Sequence, residues 1–240
     1  MTSGWLGTFV DAVIFDHDGT LVDSETITLT LIATMAVELG AEVYPDDAER
    51  FVGADIHLAL DEIEKRIGQP LNKDAFLEEF RSRQELEIRS SLSEISGATE
   101  LLEALTHQEI PFAVASNAPV AKMEVCLEAT DLLRLVPHDR LISAYEVDAW
   151  KPDPAVFLRA AEVLGESPDR CAVVEDSLPG IEGALAAGMR VIALDPKGKF
   201  AERIDVTSVP SLGAAQTLLQ QDHDDRFFFT GAKRNHASHS

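Results

Sequence analysis

The chain has 240 residues, and 45% of them are hydrophobic, which is enough for one sizeable core or for a core with an inserted unit. Its 42 acidic residues outnumber its 20 basic residues, so the formal net charge is −22. Because such a charge repels phosphate backbones and anionic lipids, we do not expect nucleic acid or a membrane surface as a partner.

Cysteine usage and the lack of long apolar runs indicate the cellular location of the protein. No run approaches the ~20 apolar residues of a membrane helix, and residues 1–10 show no signal-peptide pattern. The two cysteines, Cys126 and Cys171, lie far apart and lack metal-type spacing. This usage is typical of reduced thiols, so we expect a cytoplasmic protein. We also expect a monomer or a weak homodimer.

Short apolar runs alternate with helical patterns along most of the chain. The predicted strands are 12–15, 112–116, 141–143, 172–175 and 191–194, and helices are predicted at 98–108, 120–128, 154–164 and 180–187. Hydrophobic strands that alternate with helices predict an α/β fold, with a parallel sheet covered on both faces.

One stretch interrupts this alternation. Helical patterns at 28–39, 46–51, 58–67 and 73–88 follow one another with no strand between them. A helical block placed between the first strand and the rest of the sheet is typical of an inserted subdomain. Since it begins directly after the first strand and its turn, we expect it to stand over the crevice at the end of that strand.

Two carboxylates, Asp16 and Asp18, follow the first predicted strand on a short turn that contains Gly19. A carboxylate at the C-terminal end of a central parallel strand lies in the crevice where open α/β sheets bind ligands. A solvated turn rich in aspartate is the alternative interpretation of such a pair. Three motifs downstream favour a functional site instead.

The second motif is Ser116-Asn117, at the end of the next predicted strand. A hydroxyl group together with backbone N–H groups at a helix N-terminus makes a cradle for phosphate. Asn117 equally suits the capping of the helix predicted after it, and the sequence leaves both interpretations open.

The third and fourth motifs are Lys151-Pro152 and Glu175-Asp176. A lysine before a proline is held on a stiff loop, where it is either a surface residue or a clamp for negative charge. The acidic pair ends another apolar strand, and carboxylates gathered at one sheet edge repel strongly unless a cation lies among them. Hard oxygen ligands and an anionic substrate indicate Mg²⁺.

In this order the four motifs resemble those of the haloacid dehalogenase superfamily of phosphohydrolases, over about residues 10–215. The segment 15–25, with helical patterns after it, resembles the branch with a small helical cap, which includes β-phosphoglucomutase and many sugar-phosphate phosphatases. The resemblance implies a Rossmann-like doubly wound parallel sheet core at 1–22 and 94–220. It also implies an inserted α-helical cap at 23–93, and it leaves a peripheral tail at 221–240.

The resemblance implies a role for each motif residue. Asp16 would be the nucleophile that forms an aspartyl phosphate, and Asp18 would protonate the leaving alcohol and then activate water. Ser116 and Asn117 would hold phosphate oxygens. Lys151 would neutralise the nucleophile and the transferring group, because phosphoryl transfer depends mainly on positioning and on the stabilisation of charge.

The same resemblance implies a magnesium site. Asp16 and Asp176 would bind Mg²⁺ through their side chains, Asp18 through its main-chain carbonyl, and Glu175 through an ordered water. A cation and a lysine would reverse the local charge within a strongly acidic protein, so an anionic substrate could bind.

Departures from the pattern favour a phosphatase over a phosphosugar mutase. Thr28 stands where the mutase branch has a histidine, and residues 51–57 lack the lysine and arginine of the mutase cap loop. Thr20, which we also expect to contact the substrate, is typical of the hydrolytic members. A β-phosphoglucomutase-like mutase remains the alternative.

A helical cap leaves room for a small phosphate ester and excludes protein substrates. In pattern the chain resembles bacterial phosphatases that act on 6-phosphogluconate and related sugar phosphates. Asp55 and His57 on the Gly53 loop are candidates for binding hydroxyl groups, and the alternative is that they are solvent-exposed residues at a helix start. A receiver-like signalling domain is a remote alternative, because it also places acids, a hydroxyl and a lysine on a parallel sheet. There the acidic pair precedes the phosphate acceptor, whereas here Asp16 opens the chain.

Overall fold

The computed structural model describes residues 10–42 and 56–222. The strands within these ranges form one parallel sheet in the order β3-β2-β1-β4-β5-β6. Their bounds are β1 (Ala12–Phe15), β2 (Phe112–Ser116), β3 (Leu141–Ser143), β4 (Cys171–Glu175), β5 (Arg190–Leu194) and β6 (Thr207–Val209). The parallel α/β fold predicted from the sequence is confirmed, and the first strand lies in the middle of the sheet.

Strand β6 was not predicted, since it has only three residues and two of them are polar. No apolar run distinguishes it from a loop. Its pairing with β5, in which Ala193 lies opposite Ser208, is what defines it as the edge of the sheet.

Helices cover both faces of this sheet. Their bounds are α1 (Ser24–Glu38), α2 (Ile56–Ile67), α3 (Lys73–Ser91), α4 (Ala98–His107), α5 (Val120–Ala129), α6 (Ala144–Val147), α7 (Ala155–Leu164), α8 (Leu178–Ala186) and α9 (212–222). The one-turn helix α6 was not predicted, and the helix predicted at 46–51 lies outside the described residues. None of the helices in the described ranges is long and apolar enough to cross a membrane.

The central strand β1 shows why its sequence is apolar throughout. Val13 and Phe15 belong to the hydrophobic cluster on one face of the sheet, and Ala12 and Ile14 belong to the cluster on the other face. All four side chains are fully buried. A strand that is buried on both faces has no polar positions, and the chemistry is therefore left to the residues that follow it.

Helices α1, α2 and α3 enclose a third hydrophobic cluster, which is separate from the two that flank the sheet. The side chain of Asp23 accepts a hydrogen bond from Thr26 N and starts α1 four residues before the predicted helix. The side chain of Asn72 likewise accepts from Ala75 N and starts α3. Both are the short oxygen-bearing side chains that stabilise helix N-termini.

The end of α9 is tied to the beginning of the sheet. Residues 221 and 222, which the sequence assigned to a peripheral tail, continue this helix. The side chain of Asp222 accepts a hydrogen bond of 2.8 Å from the backbone N–H of Val10, just before β1.

Candidate active site

The sheet order brings the four motifs together at the C-terminal edge of the sheet, which is the side where its parallel strands end. Strand β1 lies between β2 and β4, and all three run in the same direction, so their C-terminal ends are neighbours. The backbone N–H of Asp16 still donates to Val174 O at 2.9 Å, which fixes the carboxylate directly at the strand end. Asp16 is buried, with 7% of its surface exposed.

Lys151 connects three of these strand ends. Its Nζ donates to Asp16 Oδ1 and, at 2.9 Å, to Glu175 Oε1. Its backbone N–H donates to Asn117 Oδ1 at 2.9 Å. The lysine is therefore a buried charge held by two carboxylates and by the end of β2, and it is not a surface residue.

The Glu175 carboxylate is fixed by contacts on both of its oxygens. Its Oε2 accepts a hydrogen bond of 2.6 Å from Ser177 N, at the start of α8. A Cβ atom at Gly180, in the first turn of that helix, would overlap the Glu175 carboxylate. Only glycine lets the helix approach this closely, so the sequence around Gly180 fits the position of Glu175.

Asp176 faces the turn that follows β1. Thr20, whose side chain is fully buried, donates from Oγ1 to Asp176 Oδ1 at 3.3 Å. Gly19 has a φ of +86°, and a Cβ atom there would overlap the Asp176 carboxylate. The backbone of the Asp18-Gly19 turn thus lies against Asp176, and Thr20 has its hydroxyl engaged in orienting that acid.

The side chain of Asp18 points to a different set of partners. Its Oδ1 accepts from Ser24 Oγ and, at 2.9 Å, from Lys122 Nζ. Its Oδ2 lies 3.3 Å from Nδ1 of His17, a residue that is fully buried. Nothing in the described part of the chain accepts or donates a hydrogen bond at His17 Nε2.

Ser116 and Asn117 differ in what they do locally. Ser116 is buried, and its Oγ accepts from Ala118 N at 3.0 Å, which leaves the hydroxyl hydrogen available as a donor. Asn117 does not cap α5, because the N-cap of that helix is Pro119, without a side-chain bond. The amide of Asn117 holds the Lys151 backbone instead, so the capping interpretation is wrong.

Burial and crowding of like charges set the electrostatics of this edge. Burial raises the pKa of Asp176 to about 7, and the neighbouring Glu175 adds to the rise. Burial also raises the pKa of Asp16; Lys151 opposes this rise, while Glu175 and Asp176 increase it. Burial alone would lower the pKa of Lys151, but Asp16 and Glu175 outweigh it and hold the pKa above its usual range.

The pKa of Asp18 is shifted in the opposite direction. Burial would raise its pKa, but His17 and Lys122 hold that pKa well below the usual range of a carboxyl group. The two acids on one turn are therefore different: Asp18 accepts from Ser24 and Lys122, whereas Asp16 shares Lys151 with Glu175.

The donor set at this edge fits a divalent cation. Asp16, Glu175 and Asp176 supply carboxylate oxygens, and the positive charge of Lys151 contacts the first two of them. Within residues 10–42 and 56–222, no three acid, histidine or cysteine side chains form a complete metal-binding cluster. Mg²⁺ does not need one, since it is commonly held by one or two carboxylates, water and substrate phosphate.

The predicted cap residues are the part of the site that the structure does not describe. Gly53 and Asp55 lie outside the described residues. His57 lies in the first turn of α2, and its side chain lies outside them as well. Their proposed contact with substrate hydroxyl groups stays a prediction.

Comparison with known proteins places the chain in a family. The model of the family described as haloacid dehalogenase-like hydrolase matches residues 13–194, which include all four motifs. The chain belongs to the haloacid dehalogenase-like hydrolases. The resemblance of the motifs is thereby confirmed, and the protein is an enzyme of the phosphoric monoester hydrolase class.

Three similar proteins illustrate the relationship within the haloacid dehalogenase-like hydrolases. The 6-phosphogluconate phosphatase of Escherichia coli K12 is 35% identical over 212 residues, which cover 87% of this chain and 94% of that protein. The phosphorylated carbohydrates phosphatase of Thermotoga maritima is 30% identical over 192 residues, covering 76% and 84% respectively. A family hydrolase from Deinococcus radiodurans, solved with bound phosphate and sodium, gives a TM-score of 0.76 at 29% identity and covers 89% and 98%.

Sequence reasoning missed Lys122, Ser24 and the orienting contact of Thr20. A signal for Lys122 was present, because it lies in the first turn of α5. A positive side chain at a helix N-terminus opposes the helix dipole, so a lysine there suggests a specific negative partner. The signal was not specific enough to name Asp18 as that partner.

Proposed function

We propose that the protein is a Mg²⁺-dependent phosphatase that hydrolyses a small sugar phosphate or sugar-acid phosphate, with 6-phosphogluconate as the first candidate, through an aspartyl phosphate on Asp16. One observation carries this proposal. Hydrogen bonds from Lys151 join the strand-end residues Asp16, Glu175 and Asn117 at one buried edge of the sheet. This is a nucleophile beside a fixed positive charge, which phosphoryl transfer requires.

In the first step, an Asp16 oxygen attacks phosphorus and the bond between phosphorus and the ester oxygen breaks. Asp18 gives a proton to the leaving alcohol. Ser116 supplies a hydroxyl donor to the phosphate, and Lys151 offsets the charge on the nucleophile and on the transferring group. Asn117 contributes by holding the backbone of Lys151.

In the second step, water attacks the phosphorus of the aspartyl phosphate. Asp18 accepts the water proton, the bond between phosphorus and Asp16 breaks, and inorganic phosphate leaves. Asp16 and Asp18 are then in their starting states, so the two steps close a cycle.

Asp16 and Asp176 would hold Mg²⁺ with the main-chain carbonyl of Asp18, and Glu175 would reach it through water. When bound, the cation would neutralise charge on the phosphoryl oxygens and on the acids around it. Thr20 would keep Asp176 oriented toward it. Burial and neighbouring carboxylates raise the pKa values of Asp16 and Asp176, so their charged forms are unfavourable when no cation is present. A cation bound among them would offset this cost and favour the charged forms, which supports the assignment.

The substrate class rests on the cap and on similarity. The cluster formed by α1, α2 and α3 is a helical unit beside the site, of a kind that admits small molecules. The E. coli and T. maritima relatives are named for sugar-acid and carbohydrate phosphates. Both cysteines are buried free thiols, which supports a cytoplasmic location.

The environment of Thr28 supports hydrolysis over phosphosugar transfer. Its Oγ1 donates to Ser24 O at 3.0 Å and accepts from Gln84 Nε2 at 2.9 Å, so the hydroxyl is engaged between α1 and α3. It offers no imidazole to the acid Asp18, although the mutase pattern calls for one. A phosphosugar mutase is the alternative function, and an isomerisation assay tests it.

The test is a panel of phosphate esters with release of inorganic phosphate as the readout. 6-Phosphogluconate, glucose 6-phosphate and p-nitrophenyl phosphate are compared with and without a chelator, and β-glucose 1-phosphate is checked for isomerisation. We expect Mg²⁺-dependent release of phosphate, and loss of that release in Asp16→Asn with an unchanged circular dichroism spectrum. Substantial turnover by the folded Asp16→Asn variant would show that Asp16 is not the nucleophile.

A further inference from the structure

Lys122 contacts the acid that our proposed mechanism uses for proton transfer. Its Nζ lies 2.9 Å from Asp18 Oδ1, and this is the only ion pair it makes within the described ranges of the chain. Ser24 donates to the same oxygen, and His17 lies 3.3 Å from the other. Asp18 thus accepts two hydrogen bonds at Oδ1 and lies beside His17 at Oδ2, which gives the carboxylate a defined orientation at the end of β1.

The position of Lys122 is not one that helix stability favours. It lies in the first turn of α5, where the dipole of the helix disfavours a positive charge. Its side chain is only 32% exposed, so part of the ammonium hydration is lost as well. An ordinary surface ion pair contributes little to stability and would not require this placement.

Lys122 and Lys151 act on different acids. Lys151 contacts Asp16 and Glu175, whereas the carboxylate that Lys122 contacts is that of Asp18. Loss of Lys122 leaves the Lys151 contacts with Asp16 and Glu175 in place. It removes one of the two donors that fix the orientation of the Asp18 carboxylate at Oδ1.

We infer that Lys122 is a positioning residue for Asp18 in the step that releases phosphate from the enzyme. This inference rests on the proposed function. In that step a water O–H bond breaks as its oxygen bonds to phosphorus, the Asp18 carboxylate takes the proton, and the Asp16 carboxylate leaves. Lys122 transfers no proton and fixes the carboxylate that does.

The two chemical steps depend on Asp18 to different extents when the leaving group is p-nitrophenolate. This anion is stable and departs without a proton, so attack by Asp16 does not need Asp18. Release of phosphate still needs it. Because kcat/KM reports the steps up to departure of the first product, a defect confined to the second step lowers kcat far more than kcat/KM.

Lys122→Met is the main variant, with p-nitrophenyl phosphate and excess magnesium chloride as the probe. We expect kcat to fall by about tenfold or more, which is less than the roughly 100-fold or larger effect of a proton-transfer group because the Asp18 carboxylate itself remains. We expect kcat/KM to fall by less than about threefold. KM falls with kcat. The burst of p-nitrophenolate before the steady state becomes more pronounced, since the aspartyl phosphate accumulates.

Lys122→Arg keeps a positive donor and should restore most of kcat. The matched control is Lys65→Met, the same change at a side chain that is 80% exposed in α2, and both constants should stay at the wild-type values. If Lys122→Met does not fold, Lys122→Gln is measured in its place. Failure of both neutral variants to fold would show a structural role and overturn the inference.

Equal falls in kcat and kcat/KM, or no fall in kcat, would also overturn the role assigned to Lys122. Wild-type protein that turns over no phosphate ester in the presence of Mg²⁺ would refute the proposed function itself. The two failures are distinct, because the first appears only when an active wild-type enzyme is compared with its variants.

Discussion

Replacement of Lys151 by methionine tests the centre of the site. The lysine side chain is 3% exposed and contacts Asp16 and Glu175, which are themselves buried. Methionine has a similar length but no charge, so it fills most of the space and removes both ion pairs. Asp16, Glu175 and Asp176 would then lie together at the C-terminal edge of the sheet. The first two would have lost the ammonium group that contacts them.

The expected loss has a catalytic part and a stability part. Removal of one group that stabilises transition-state charge costs about 2.7–4 kcal/mol, which corresponds to roughly 100- to 1000-fold in kcat. Removal of one partner from a buried ion pair costs about 3–5 kcal/mol of folding free energy. The carboxylates left behind can take up a proton at low pH, so the stability loss should shrink as the pH falls.

The assay combines turnover of p-nitrophenyl phosphate with urea unfolding at about pH 8 and about pH 5. Lys65→Met is the control, because its exposed ion pair with Glu62 should contribute about 0–1 kcal/mol. Activity of Lys151→Met within about threefold of wild type would place this lysine outside the chemistry. Equal stability loss at both pH values would refute the argument from buried charge.

Two further predictions concern the acids around Lys151. Asp16 and Asp176 have raised pKa values, so the stability they contribute is fully present below the ordinary value of 3.8 and is lost as the pH rises through about 7. Without divalent metal, the free energy of unfolding should therefore fall from about pH 5 to about pH 8, and Mg²⁺ at 100 times its Kd should add about 2.7 kcal/mol at the higher pH. Loss of this Mg²⁺ effect is expected in Asp176→Asn, and an unchanged effect would contradict the metal assignment. Gly180→Ala should displace the Glu175 carboxylate and lower both kcat and stability, the latter by about 1–3 kcal/mol. Gly213→Ala should do neither, because a Cβ atom there would only make an ordinary contact of 3.9 Å with Ser211 Oγ. Equal unfolding of the two variants in urea would contradict the contact at Gly180.

Much of the architecture follows from local patterns. The four-residue run of β1 is apolar because both faces of the sheet bury it, and the same reason makes β2 and β4 recognisable. Strand β6 has no such run, and the pairing with β5 alone identifies it. The starts of α1 and α3 depend on single capping residues, Asp23 and Asn72, which a search for apolar periodicity overlooks.

Some features of the site could likewise be predicted from the sequence, and others could not. Which residue types follow each strand could be seen in the sequence, because parallel strands place their C-terminal ends at one edge and the chemistry must come from there. The partners of each residue could not be seen. Asn117 holds Lys151 instead of capping α5, Thr20 orients Asp176, and Lys122 contacts Asp18 across a separation of 104 residues.

The sequence by itself determined the parallel α/β core, the run of helices that follows its first strand, and the acids, hydroxyls and lysine that the proposed chemistry uses, since these depend on periodicity and on residues next to strand ends. Only the tertiary structure decided how those side chains pair and how strongly each acid holds its proton. Pairing depends on distances between segments far apart in the chain, and the pKa values depend on burial and on neighbouring charges. Both arise only when the strands and helices pack together.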